Sequence, residues 1–375
     1  MYVLKIKEYK DCFMAKQKVS IVGAGTAGAI LAKNLAKFGI RTVVYDRKYK
    51  PGSPQRASGI LSIKGLESLK INYKKAITNT LYGARIHAGK STLKILSEQP
   101  QAYVVDRQVL NEICIEEAKE AGAEFVLGKQ IGSNELNELS KEGIVVGADG
   151  AVSTVAKHFG LSGKTTYILT YRAEYEWQNE EKSVDLFFDS RISPGFFSWM
   201  APTSKDTIEI ATGIDSRFGN AKSAFENFLN AYVREAADKK PISAYASIIP
   251  LISKKRIVDE KKKVLLVGDA AGQVKASTGG GVIFGGNAAI IAAWAIKENI
   301  ERDAPLSDYE KAFKKKFGVD MLLHKLVHGF YSSLGTKGME IAINIMNAIG
   351  MGEFLSKHGD MDSPSLIIKR LFHIH

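Results

Sequence analysis

The sequence predicts a mixed α/β fold: a parallel, Rossmann-like sheet unit that carries an inserted antiparallel sheet and closes on helices. Three observations predict it. Residues 18–46 read as strand, glycine turn, helix and strand in succession. Residues 165–262 become rich in Tyr, Phe, Trp and Thr alternating with polar residues, as in an antiparallel sheet, for example over 207–212. Residues 263–268 (KVLLVG) then return to the apolar pattern of a buried parallel strand, and the chain reads as helices from Leu306 onward.

The first strand covers residues 18–22 (KVSIV) and ends in Gly23-Ala24-Gly25. A helix over 26–38 follows, with Ala, Ile and Leu at helical spacing and Gly39 as its stop. Residues 41–46 (RTVVYD) form the second strand and complete a β-α-β unit with a right-handed crossover. A Pro/Gly-rich loop covers 51–59, and short mixed elements cover 60–100. Residues 106–122 form an amphipathic helix with Val109, Leu110, Ile113 and Ala118 on one face. Strands are expected at 124–127 and 143–148, joined by a short polar linker over 128–142. The nucleotide-binding domain is therefore expected to be discontinuous, built from 14–60, 100–160 and 263–305. Residues 61–99 and 161–262 form the substrate domain, and 306–375 a C-terminal helical region.

At 375 residues, 45% hydrophobic and 25% charged, the chain has the composition of an ordinary globular protein. The net charge of +12, from 52 Lys+Arg against 40 Asp+Glu, favours an anionic partner: a phosphorylated substrate, an acidic protein or lipid headgroups. Nucleic acid is not expected, because the basic runs at 254–256, 261–263 and 314–316 have no interleaved aromatics. A solvated basic face is the commoner reading of such runs. Cys12 and Cys114 form no CxxC pair, which argues against a disulfide framework or a metal site and for a reducing, cytoplasmic setting. Residues 1–17 show no apolar stretch of a secretory leader, and Met14 is an alternative start to Met1. Residues 276–296 carry no charge over 21 positions, close to the length of a membrane span. They contain Gly279, Gly280, Gly281, Gly285, Gly286 and Asn287, so a loop entering a buried helix is the expected reading.

Gly23-Ala24-Gly25-Thr26-Ala27-Gly28 fits G-x-G-x-x-G in the context that gives it meaning: after a strand, opening a helix, with Asp46 18 residues beyond its last glycine. Gly23 permits the tight turn. Gly25 lets the backbone approach a pyrophosphate at the helix N-terminus, beside Ala27, and Gly28 lets helix and strand pack closely. Asp46, followed by Arg47, would accept from the adenosine ribose hydroxyls. Three further features select FAD over NAD. Asp149-Gly150 ends one strand, Gly268-Asp269-Ala270-Ala271-Gly272 ends another, and Asp106-Arg107 opens the helix between the first two units.

This combination resembles the p-hydroxybenzoate hydroxylase-like FAD-binding superfamily and, within it, the geranylgeranyl reductase family. The resemblance implies that Asp269 contacts the ribityl or phosphate region and that Arg107 lies along the FAD. Residues 194–202 (PGFFSWMAP) are similar to the family's aromatic substrate motif, which marks Phe196, Phe197, Trp199 and Pro202 as candidates to line a prenyl tunnel. Gly279, Gly280 and Gly281 are similar to its glycine-rich loop near the isoalloxazine ring, and residues 359–364 (GDMDSP) to its C-terminal segment. Residues 52–59 match its Arg-Cys-Gly stretch, with Arg56 retained and Ala57 at the cysteine's place. The motif's Tyr is Phe197 and its Phe is Ala201.

The resemblance implies a reductase that saturates C=C bonds of geranylgeranyl or polyprenyl chains by hydride transfer from reduced flavin. Its electrons would come from NAD(P)H or reduced ferredoxin, since no second G-x-G-x-x-G is present. A prenyl lipid or prenyl diphosphate is the implied substrate. Apolar segments at 321–326 and 339–351 would cover the tunnel mouth, rest on the inner face of the membrane, or pack in a core. A flavin monooxygenase of the same fold is the alternative, weakened by Ala156 where an Arg is sought; a basic, nucleic-acid-binding flavoprotein is a second. No His or carboxylate falls within the aromatic motif, so an ordered water or the flavin itself is left as the proton source.

Overall fold

The computed structural model describes residues 18–53, 58–179, 182–253 and 256–371. The central sheet runs Val258–Asp259, Val264–Leu266, Gly143–Gly147, Lys18–Val22, Thr42–Asp46 and Glu124–Leu127, with every neighbouring pair parallel except the first. Successive side chains on a strand point to opposite faces. Val19, Ile21, Val44, Ile144 and Val146 therefore pack under the helices Thr26–Lys37, Arg107–Glu120 and Val282–Arg302. Val22, Val43, Tyr45 and Val145 pack on the other face, under Ser133–Glu142 and Thr154–His158. Both faces are covered, as a parallel sheet requires.

Helix Ser133–Glu142 replaces the linker expected at 128–142. Its amphipathic signal is short: Leu136 and Leu139 face the sheet and the other positions are polar or charged. Glu135 accepts from the Gly132 N–H at 3.1 Å and satisfies one of the amides that a helix start leaves unpaired.

A seven-stranded sheet forms the second layer, ordered Ser243–Ser253, Lys164–Glu176, Thr207–Asp215, Ser198–Pro202, Ser183–Phe187, Gly83–Ala88 and Ser91–Leu96. It is antiparallel except where Ser183–Phe187 meets Gly83–Ala88. A three-stranded sheet, Ile60–Ser62, Ala102–Val105 and Ile77–Leu81, lies beside it in the chain. The uncharged stretch 276–296 becomes a loop and then the buried helix Val282–Arg302, and no helix among the described residues is long and apolar enough to cross a membrane.

Helices Asp308–Ala348, Met351–His358 and Pro364–Leu371 close the chain. The first breaks at Gly335, which takes φ 63° and ψ 179°; the Ser190 N–H donates to Thr336 Oγ1 at 3.0 Å and anchors the break. Tyr309 at its start is fully buried. Its hydroxyl donates to the Leu266 carbonyl at 3.0 Å and accepts from Gln273 Nε2 at 2.5 Å. Gln273 in turn accepts the Gly268 N–H at 2.7 Å. Tyr309→Phe leaves these buried partners unsatisfied and is expected to cost about 1–3 kcal/mol, read as a lower urea midpoint at unchanged slope.

Candidate active site

Strand Lys18–Val22 delivers the chain into the glycine turn at the end of the sheet. Gly23 has φ +110°, and a side chain there would collide with the backbone of Ala148 and Asp149. A side chain on Gly28 would collide with the Gly23 carbonyl, so helix and turn are packed backbone to backbone. Gly25 differs: no atom lies within 4 Å of where its Cβ would be. It opens helix Thr26–Lys37 with no side-chain cap and no acidic residue in the first turn. The first amides of the helix thus meet a cavity lined by Gly25, Thr26 and Ala27 without a protein acceptor of their own. That arrangement suits a pyrophosphate.

The cavity holds about 1220 Å³ and is continuous from this turn to the seven-stranded sheet. A second helix, Val282–Arg302, also begins on it without a side-chain cap, and Gly279, Gly280 and Gly281 form its wall there. Arg107 and Asp269 face the cavity between the two helix starts. Arg107 Nη2 donates to Thr26 Oγ1 at 3.3 Å. Burial lowers the Arg107 pKa, against the favourable Asp269 carboxylate, and burial raises that of Asp269 against the pull of Arg107. Two half-buried groups of opposite charge therefore stand on the cavity wall, suited to the phosphates and hydroxyls of a dinucleotide.

The far half of the wall is apolar: Ile60, Leu81, Ile86, Leu186, Phe197 and Trp199. Phe197 and Trp199 meet edge to face, centroids 5.8 Å apart. Trp199 Nε1 donates to Glu209 Oε1 at 2.9 Å, and Glu209 pairs with Arg172, so the indole is held by a buried ion pair. At the loop end of the wall stands Lys275, only 5% exposed. Its ammonium donates to Asp362 Oδ1 at 2.6 Å and to the Met361 carbonyl at 3.3 Å. Asp362 also accepts from Ser62 Oγ. Burial opposes the Asp362 charge, but Lys275 and Ser62 outweigh it and hold its pKa below the usual carboxylate value. Behind Lys275, His324 Nδ1 bonds Ser277 Oγ at 2.7 Å, and burial followed by the charge of Lys275 lowers the His324 pKa.

The sequence-predicted residues separate into three groups. Gly25, Ala27, Arg107, Gly150, Gly268, Asp269, Gly279, Gly280, Gly281, Phe197 and Trp199 line the cavity. Others support it from outside its wall. Gly23 and Gly28 shape the turn, and Phe196 stacks behind Phe197 at 4.2 Å. Asp46 accepts from the Ala24 and Lys48 amides, both at 2.8 Å, and so braces the glycine turn, with exposed Arg47 beyond it. Asp149 caps helix Thr154–His158 through Ser153 Oγ at 2.6 Å and the Thr154 N–H at 2.7 Å. Pro202 is buried in its strand, its carbonyl accepting from Asn79 Nδ2 at 2.9 Å. Arg56 and Ala57 lie outside the described residues. Lys275, Ser62 and His324 carried no assigned role in the sequence reading. The available signal was Lys275 as the charge that borders the uncharged run 276–296.

A family model for the FAD binding domain matches residues 16–312. The chain belongs to this FAD-binding family. An uncharacterised protein of Methanocaldococcus jannaschii is 30% identical over 94% of each chain. Digeranylgeranylglycerophospholipid reductase 3 of Methanosphaera stadtmanae is 30% identical over 82% of this chain and 86% of its own. Among solved structures, a geranylgeranyl bacteriochlorophyll reductase-like protein from Thermoplasma acidophilum superposes with a TM-score of 0.78 over 95% of this chain and 96% of its own. At 22% identity that likeness establishes the shared fold. The FAD-binding protein described here is an oxidoreductase of the group that includes these reductases.

Proposed function

We propose that this protein saturates carbon–carbon double bonds of geranylgeranyl or longer polyprenyl chains. The observation that carries the reading is the single cavity, which joins a dinucleotide cradle at Gly25 to an apolar, aromatic interior at Phe197 and Trp199. A long cavity with an apolar, aromatic end suits a prenyl chain. The names of the relatives, digeranylgeranylglycerophospholipid reductases, support the same substrate class.

Bound FAD, once reduced, supplies the hydride equivalent. The chain's own groups do the rest. The uncapped start of Thr26–Lys37 would hold the pyrophosphate, Arg107 would pair with an anionic oxygen, and Asp269 would accept from ribityl hydroxyls. The amides around Gly280, on the cavity wall, would stabilise the negative charge that collects on a reduced flavin ring. Phe197 and Trp199 present ring faces and edges to the alkene and keep water from a centre that becomes electron-poor. Lys275, oriented by Asp362, holds protons at the wall of the same cavity. NAD(P)H or reduced ferredoxin supplies electrons. The protein works in the cytoplasm, at the inner face of the membrane that holds its substrate.

The test is anaerobic incubation of the holoenzyme with a geranylgeranyl lipid and dithionite, followed by mass spectrometry. A gain of a hydrogen pair per reduced double bond is expected. An unchanged chain, together with oxygen-dependent hydroxylation of a lipid or aromatic compound, would replace the reductase with a monooxygenase.

A further inference from the structure

The C-terminal helices leave a large apolar surface uncovered. On the segment of Asp308–Ala348 before its break, Val319, Leu322, Leu326 and Phe330 are 64%, 56%, 59% and 55% exposed. At 100° per residue these positions fall within a sector of about 80°, a stripe about 16 Å long. The buried side chains Phe313, Asp320, His324 and Tyr331 lie on the opposite part of the helix. The stripe is therefore not the edge of a core. Beyond the break Ile341, Ile345 and Ile349 are 60%, 57% and 64% exposed. A surface of this size marks an interaction site.

Charge says what covers it. Between residues 311 and 350 every exposed charged side chain is a lysine: Lys311, Lys314, Lys315, Lys316, Lys325 and Lys337. The acids of that stretch are withdrawn, Asp320 into the interior and Glu340 onto the Lys90 amide. Lys315 continues the stripe one turn before Val319. Apolar side chains rimmed by lysines fit the headgroup boundary of an anionic bilayer. A second copy of this chain would set the same basic rim, on a molecule of net charge +12, against itself.

The tail links the long helix to the cavity. Asp320 Oδ1 accepts the Ser365 N–H at 2.9 Å and pins the start of helix Pro364–Leu371 to the inner side of Asp308–Ala348, away from the stripe. Ile367 and Arg370 of that helix line the cavity, as do Lys357 and Met361, while Leu366, Ile368 and Leu371 are exposed.

We infer that the face formed by Val319, Leu322, Leu326 and Phe330 docks on an anionic membrane surface and holds the protein at the lipid. This rests on the reading of the substrate as a prenyl lipid. Leu326 and Phe330 insert among the acyl chains, and Lys315 and Lys325 pair with the headgroups.

Flotation of the holoenzyme with vesicles tests it. Vesicles of equimolar phosphatidylcholine and phosphatidylglycerol are expected to carry the protein up, and phosphatidylcholine alone to carry much less. Molar salt is expected to release it. The double variant L326D/F330D changes only exposed positions and is expected to lose at least about tenfold in vesicle affinity with its flavin retained. K315E/K325E is expected to lose the preference for phosphatidylglycerol. The inference is overturned if the native protein stays in the lipid-free fraction with both vesicles. It is also overturned if the native protein is a dimer that L326D/F330D turns into monomer. Reduction of a detergent-solubilised geranylgeranyl chain separates this result from the reductase reading. That activity survives in L326D/F330D if the reading is right, and is absent from the native protein if it is wrong.

Discussion

Asp362→Ala is expected to destabilise the protein by about 3–5 kcal/mol, because it leaves the Lys275 ammonium charged and unpaired in the interior. Both side chains are removed from water: 6% of the Lys275 side chain and 11% of the Asp362 side chain are exposed. Their attraction offsets a desolvation cost that either one alone cannot meet. Ser62 loses its acceptor in the same variant. The double variant K275M/D362L removes both charges and is expected to recover most of the loss, since a buried pair replaced by apolar groups is often neutral. Urea unfolding of the two variants measures the difference. A cost for Asp362→Ala under about 1 kcal/mol would mean that water reaches the pair. The recovered double variant then becomes informative about chemistry: if it folds and binds FAD but reduces no alkene, Lys275 acts on the reaction and not on the fold.

The same cluster sets a pH dependence. The pKa of His324 is lowered in the folded protein, so the unfolded chain binds more protons below the ordinary imidazole value of 6.5. Asp362 is also lowered, and its contribution is lost as pH falls from the ordinary 3.8 toward its folded value. Both signs make acid destabilising. Thermal midpoints measured downward from about pH 7 should fall first through the His324 range, and His324→Asn should flatten that first portion. A flat profile between about pH 7 and 5 would show that His324 takes up its proton alike in the folded and unfolded chains.

The parts of this molecule that were legible in the sequence are the contiguous ones. Residues 18–46 carry strand, turn and helix signals in one uninterrupted window, each enforcing the next, and the structure places Lys18–Val22, Thr26–Lys37 and Thr42–Asp46 there. Helix Ser133–Glu142 was hidden because its apolar face amounts to Leu136 and Leu139, too little periodicity to stand out from a polar linker. The parallel contact of Ser183–Phe187 with Gly83–Ala88 joins segments about a hundred residues apart and leaves no trace in alternation. Lys275, Ser62, His324 and Asp362 meet only through tertiary packing of four separate segments. The tail motif at 359–364 could be matched to a family, yet the partner of its second aspartate could not be read from it. The apolar segment at 321–326 was visible, but only the fold decides that Leu322 and Leu326 turn outward.

Gly25→Val and Gly28→Val should separate cofactor binding from folding. Gly25 has φ −69°, which any residue adopts, and open space where its Cβ would go. The valine therefore folds without strain, and its side chain stands in the cavity where the first amides of Thr26–Lys37 are exposed. FAD affinity should fall at least about 100-fold, equivalent to about 2.7 kcal/mol, with the apoprotein's thermal midpoint unchanged. At Gly28 the added carbons meet the Gly23 carbonyl and the Ala148 side chain, both fixed by the sheet. Helix and turn must separate, so apoprotein stability falls by about 1–3 kcal/mol along with FAD binding. Titration of deflavinated protein with FAD, followed by flavin fluorescence, gives the affinities, and apoprotein melting gives the stabilities. Full FAD binding by Gly25→Val would place the pyrophosphate elsewhere. Destabilised Gly25→Val apoprotein would mean that the turn, and not the ligand, needs the glycine.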